Sequence, residues 1–173
     1  DYAKAFKEEL LSTLRNRAIN HATATAMGNC QTSQALAIAF GIFSDGELYA
    51  AGDVLEKIIE RDGNHIDGGF YGIRYLFHSL SKTGRSELAF KLITQDSFPS
   101  YKWCIDEGMT ALPEGFKKKS LSSRNHHFFG DISHWFYRWL GGINVNPYGD
   151  NSNYVEISPC FISDISFVEA SYD

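Results

Sequence analysis

Two kinds of helical pattern alternate along the first half of the chain, and this alternation restricts its fold more than any other feature. Tyr2 to about Ile19 carries Phe6, Leu10 and Leu14 at i, i+4 spacing, with Lys4, Lys7, Glu8 and Arg15 elsewhere, which predicts an amphipathic helix. Asn20 to Cys30 is small and polar and reads as a loop. Ser33 to Phe43, capped by Thr32 or Ser33, is apolar around nearly its whole circumference and is expected to be buried on several sides. Ser44 and Glu47 form a capping-box pattern. The helix after them has Ala51, Val54, Leu55, Ile58 and Ile59 on one stripe and ends at Asp62-Gly63. Phe70 to Ser81 is again aromatic and apolar, stopped by Thr83-Gly84. Glu87 to Thr94 is short, with Leu88, Ala89, Leu92 and Ile93 inside. Buried and one-sided helices joined by short turns are the pattern of helical hairpins in an α/α barrel or solenoid. No tight repeat accompanies it, which disfavours a regular solenoid.

Ser97-Phe98-Pro99-Ser100 interrupts the pattern, and Met109 to Arg124 is a long irregular stretch of the kind that often carries function. A very aromatic helix follows, from about Asn125 to Gly141. Past Pro147 the character changes. Tyr154-Val155-Glu156-Ile157-Ser158 and Ile165-Ser166-Phe167 alternate polar and apolar residues and read as β-strands. So few strands cannot form a stable sheet by themselves; they must pair with the helical layer or with a sheet further along. The chain opens at Asp1 already inside a helical pattern. The expectation is a processed protein or a piece of a longer one, and periplasmic or extracellular export of the parent stays open.

Composition removes several function classes. The 173 residues suffice for a core, and 43% are hydrophobic. The 14% aromatic content fits either a well-filled core or an aromatic cleft for a planar or sugar ligand. A net charge of −5 with scattered Lys and Arg argues against nucleic acid as a partner. Lys117-Lys118-Lys119 is too short a run to change that. No apolar run is long enough to span a bilayer. Cys30, Cys104 and Cys160 are odd in number, far apart and outside any metal-ligand spacing, so they read as free, mostly buried thiols. No cofactor or metal is indicated.

Three clusters could carry chemistry. In Trp103 to Phe116, Glu114 sits on a Pro-flanked loop among aromatics. It is either a solvated loop carboxylate or one presented as an acid or base, as glycosidases present theirs. In Ser123 to Gly130, Asn125 and His126 open a helix and either cap and pack it or bond sugar hydroxyls. His126 and His127 as a metal pair is disfavoured, because adjacent helical residues point about 100° apart and no third ligand is spaced to help. In Gly63 to Gly72, the glycines lack the order of a phosphate loop and follow no strand, so close backbone packing at a helix entrance is expected. There is no nucleophile elbow.

Taken in order, these segments resemble the C-terminal half of the catalytic domain of the α-L-rhamnosidases, glycoside hydrolase family 78. The residues that carry the resemblance are Gln31-Thr32 with Ala35 to Gly41, His65 to Gly72, Leu88 to Gln95, Phe98 to Tyr101, Gly108 to Glu114, Ser123 to His126, Phe129-Gly130 and Trp135 to Arg138. The resemblance implies a mainly α chain: part of an (α/α)6 barrel over 1–146, then the opening strands of a C-terminal β-sandwich over 147–173. It implies an inverting mechanism on a rhamnose-containing glycoside, with Glu114 where the general base sits and His126 where a histidine contacts the sugar. Asn125 joins His126, and Trp103 and Tyr101 are further candidates for an aromatic wall. The family usually has Trp just before the base and again two residues after it; here those positions are Pro113 and Phe116. Gly68 stands where the family usually has Thr. The general acid and several sugar-binding residues would come from the N-terminal half of the barrel, so the chain alone is expected to be inert. Another (α/α)6 carbohydrate-active enzyme and a non-catalytic helical binding or interaction domain are the alternatives.

Overall fold

A computed structural model describes residues 2–116, 127–145 and 155–171. The described residues contain seven α-helices, most of them where the periodicity places them. They are α1 (Tyr2–Ala18), α2 (Gln31–Ala39), α3 (Asp45–Arg61), α4 (Phe70–Lys82), α5 (Ser86–Ile93), α6 (Tyr101–Asp106) and α7 (Ile132–Trp135). A 3₁₀ segment, His127–Asp131, leads into α7, and a π-helical segment, Phe136–Leu140, continues it. The expected last helix is thus, over its described residues, one run of three kinds of helical turn.

Helices α2, α4 and α7 form an inner row, with α3 and α5 outside it. Five of the nine residues of α2 are buried and none is fully exposed, as its all-round apolar pattern requires. The inner row is tied together by buried polar groups. Ser79 Oγ on α4 donates to Ala35 O on α2 (2.8 Å). The indole of Trp135, which has no exposed surface, donates to Ser81 Oγ (2.9 Å) and Phe77 O (3.2 Å). Glu47 forms its half of the predicted box, accepting from the Ser44 amide at 2.9 Å.

Several boundaries differ from expectation. Helix α2 starts at Gln31, so Cys30 is its N-cap and Ser33 lies in the first turn, where its hydroxyl accepts from the Cys30 amide (3.4 Å). The expected loop 20–30 contains a tight ribbon, β1 (Ile19–Asn20) paired antiparallel with β2 (Thr25–Ala26). Gln34, buried on α2, holds that ribbon through Ala26 N (2.8 Å) and Ala24 O (2.8 Å) and reaches α3 at Ala51 O (2.9 Å). The stretch around Trp103 is a short helix, α6, with Ser100 Oγ capping Trp103 N at 2.9 Å.

At the C-terminal end, β3 (Ile143–Val145) pairs antiparallel with β4 (Val155–Ile157), so the predicted strand at 155–157 finds its partner just before residue 146. Ile165-Ser166-Phe167 is not a strand. Ile162 and Ile165 pack onto the helical core instead, and Ser163 N donates to Glu87 Oε1 (2.8 Å). Apolar side chains remain uncovered at both ends: Phe6 is 55% exposed, Phe161 91% and Phe167 79%. No helix among the described residues is long and apolar enough to cross a membrane.

Candidate functional site

The loop that carries Glu114 begins where α6 stops. Gly108 ends the helix at φ +70°, a conformation that strains residues with a Cβ, and Met109 N then bonds back to Cys104 O at 3.0 Å. From there the chain runs irregularly to Phe116. Glu114 is exposed, yet the residues around it are fixed: Pro113 is fully buried and Phe116 is 6% exposed. The Phe116 ring packs edge-on against Tyr101 (5.3 Å between centroids) and Phe129 (5.0 Å). The result is a solvent-facing carboxylate on an anchored backbone.

The other candidates are placed unevenly. Tyr101 lies in the core, 6% exposed, with its hydroxyl donating to Phe129 O at 3.0 Å, so it does not offer an open face to a sugar. Trp103 is half-buried, edge-on to Phe98 at 4.8 Å. Asn125 and His126 lie outside the described residues. His127, next in the chain, stacks on Phe128 at 4.6 Å.

The glycine-rich segment works as a helix entrance. A Cβ on Gly68 would lie 3.1 Å from Thr32 Oγ1, and one on Gly72 would lie 2.1 Å from it. Gln31 clamps the same loop, donating to His65 O (2.9 Å) and accepting from Asp67 N (3.1 Å). The glycines therefore let α4 approach the start of α2 closely.

A second cluster was not anticipated. A cleft of about 320 Å³ on the inner row gathers Arg74, His78 and Lys82 from α4 with Asp131, His134 and Arg138 from the last helical run. Asp131 is its hub: His78 Nε2 lies at 3.1 Å, Arg74 Nε at 3.6 Å and His134 Nδ1 at 4.0 Å. Burial opposes ionisation of Asp131. The hydrogen bond from His78, with the basic groups of His78, His134 and Arg74 around it, outweighs burial and holds the carboxyl below its ordinary range. Burial, then His78, pushes the His134 imidazole down.

The ligand-type atoms of His78, Asp131 and His134 lie within 4.8 Å of one another, as a metal site would need. However, Trp139 Nε1 donates to His78 Nδ1 at 2.9 Å, which puts the ring proton on Nε2, facing Asp131. His78 then has no free lone pair for a cation, and Arg74 already faces the carboxylate. The cluster is built as an ion-pair network. Its sequence signal was the spacing i, i+4, i+8 on α4 and i, i+3, i+7 on the other helix, but nothing in the sequence says that these two faces meet.

Paired inner and outer helices, with a carboxylate on a fixed loop between helices, define part of the wall of a helical-hairpin glycosidase domain. The family model of the bacterial alpha-L-rhamnosidase 6 hairpin glycosidase domain matches residues 1–140, and the chain belongs to that family. It is 31% identical over 150 residues to an α-L-rhamnosidase of Alteromonas sp. (strain LOR), covering 82% of this chain and 16% of that protein. It is 34% identical over 151 residues to one of Formosa agariphila, covering 82% and 15%. Among solved structures, Streptomyces avermitilis α-L-rhamnosidase complexed with L-rhamnose superposes with a TM-score of 0.79 at 25% identity, covering 94% of this chain and 16% of that one. The chain thus spans about a sixth of the length of these relatives.

Proposed function

We propose that this chain is the C-terminal part of the catalytic barrel of an inverting glycosidase that cleaves terminal α-L-rhamnosides, and that it carries the general base, Glu114, but not the general acid. The observation that carries the reading is the setting of Glu114: exposed, and held between buried Pro113 and buried Phe116 on the loop that resembles the family's base loop. A base must point its carboxylate in one direction before substrate arrives, and anchoring the backbone on both sides does this.

In this reading Glu114 takes a proton from a water as the water's oxygen bonds to the anomeric carbon. The bond from that carbon to the aglycone oxygen breaks on the opposite face, and an acid on the preceding part of the barrel protonates that oxygen. Inversion needs the two carboxyl groups about 6.5–9.5 Å apart, with the water between them. His126 and Asn125 bond sugar hydroxyls, and Trp103 contributes to the pocket wall. Residues 147–173 open a β-sandwich that follows the barrel. The test is proton NMR of an aryl α-L-rhamnoside turned over by the full-length parent. The β-anomer of rhamnose released first supports the reading; the α-anomer first refutes inversion.

A further inference from the structure

Tyr101 sits where three elements meet. Its ring packs against Phe77 of α4 (5.9 Å) and against Phe116 of the Glu114 loop (5.3 Å). Its hydroxyl donates to the backbone carbonyl of Phe129, at the start of the last helical run (3.0 Å). Phe129 closes the ring of contacts by packing on Phe116 at 5.0 Å. Tyr101 is itself fixed at the start of α6, directly after the Ser100 cap. A core that needed only bulk would take phenylalanine here. A buried hydroxyl must first lose its water, and it is retained at no net cost only if it finds a partner. This one finds a main-chain group 28 residues away on another element.

Phe116 follows Glu114 by only two residues, so moving its ring moves the carboxylate. The Phe129 carbonyl lies at the head of the segment that follows Asn125 and His126 in the chain. Burial, with smaller contributions from Asp131 and Cys104, pushes the phenol of Tyr101 above its ordinary range.

Resting on the assignment of Glu114 as the base, we infer that Tyr101 is a positioning residue, whose ring sets the Glu114 loop through Phe116 and whose hydroxyl ties the start of α6 to the head of the last helix. Misplacing a catalytic group by about 1 Å lowers a rate by up to about 10²-fold. The effect passes through Glu114 alone, so it must vanish when Glu114 is already disabled.

The experiment uses the full-length parent and an aryl α-L-rhamnoside, with kcat, KM and thermal midpoint measured for Tyr101→Leu, Tyr101→Phe, Phe116→Leu, Glu114→Gln and Tyr101→Leu/Glu114→Gln. The expected result is a fall in kcat of about ten- to a hundredfold for Tyr101→Leu, with KM within about twofold. Tyr101→Phe, which keeps the ring but loses the bond to Phe129 O, shows a smaller fall in kcat than Tyr101→Leu but a measurable one, and the double variant is no slower than Glu114→Gln alone. If Tyr101→Leu fails to fold, Phe116→Leu must show the same fall in kcat, because it breaks the same contact from the other side. Equal losses from Tyr101→Leu with and without Glu114 overturn the inference while leaving the base assignment intact. Full activity in Glu114→Gln overturns the base assignment itself, and the inference with it.

Discussion

Alanine at Gly72 sets two effects of known size against each other. In a helix, alanine is favoured over glycine by about 1 kcal/mol, and by less in the first turn, where Gly72 lies. Against this, the new Cβ would stand 2.1 Å from Thr32 Oγ1, 2.9 Å from Thr32 Cβ and 3.2 Å from Thr32 Cγ2. Rotating the threonine relieves the first contact but not the second, which is fixed by the backbone of α2. Overpacking of this kind costs about 1–3 kcal/mol, toward the upper end where a β-branched neighbour cannot move aside. The net expectation is a loss of about 1–2 kcal/mol. Thr32→Ala removes Oγ1 and Cγ2 and leaves only the 2.9 Å contact with Cβ, so Gly72→Ala in that background should cost less, but still something. At Gly46 on α3 an added Cβ would meet nothing within 4 Å, so Gly46→Ala should be neutral or stabilising. Urea unfolding of the chain and its variants, compared at constant m, gives all four numbers. A Gly72→Ala variant as stable as the parent sequence, or one whose cost is the same with and without Thr32, would refute the close-approach argument.

Three further outcomes are expected. The hydroxyl and then the amide of Ser44, followed by His21, hold Glu47 down from its ordinary 4.5 to about 2. Its contribution to stability is therefore full above about pH 4.5 and is lost as pH falls toward 2; Ser44→Ala should flatten that acid limb in a pH series of unfolding midpoints. His134 should titrate below 6.5 by NMR, and Asp131→Asn should lower it further, because Asp131 is the neighbour that favours its charged form; a rise in the variant would contradict the ion-pair network. Finally, the isolated chain should show no hydrolysis of aryl α-L-rhamnosides under conditions in which the full-length parent turns them over, and measurable turnover would show that it already holds both acid and base.

The helices were legible because burial and a 3.6-residue period leave the same mark on every inner and outer element. Ser44 with Glu47, Gly63 and Gly84 marked their ends for local reasons. What escaped the sequence depends on distant partners. The β1–β2 ribbon is two residues wide and is held by Gln34 from the next helix, so residues 20–30 carry no strand signal of their own. Helix α6 is six residues long between a proline and a glycine, too short for a period to show. Ile165 to Phe167 alternates like a strand, yet no strand among the described residues lies beside it, and the Ile165 side chain goes to the helices instead. In the candidate site, Glu114 was legible from its loop and from the family resemblance. The burial of Tyr101 was not, because an aromatic residue reads the same in a core and on a sugar-facing wall. The Asp131 cluster required knowing that α4 faces a helix some fifty residues later.

The most direct test of the central claim compares aryl α-L-rhamnoside hydrolysis by the full-length parent and by its Glu114→Gln variant, with folding checked by circular dichroism. Removal of a general base lowers turnover by about 10²–10⁴-fold, and a loss in that range with the fold intact is the predicted result. Turnover by Glu114→Gln equal to that of the unmodified parent would contradict it.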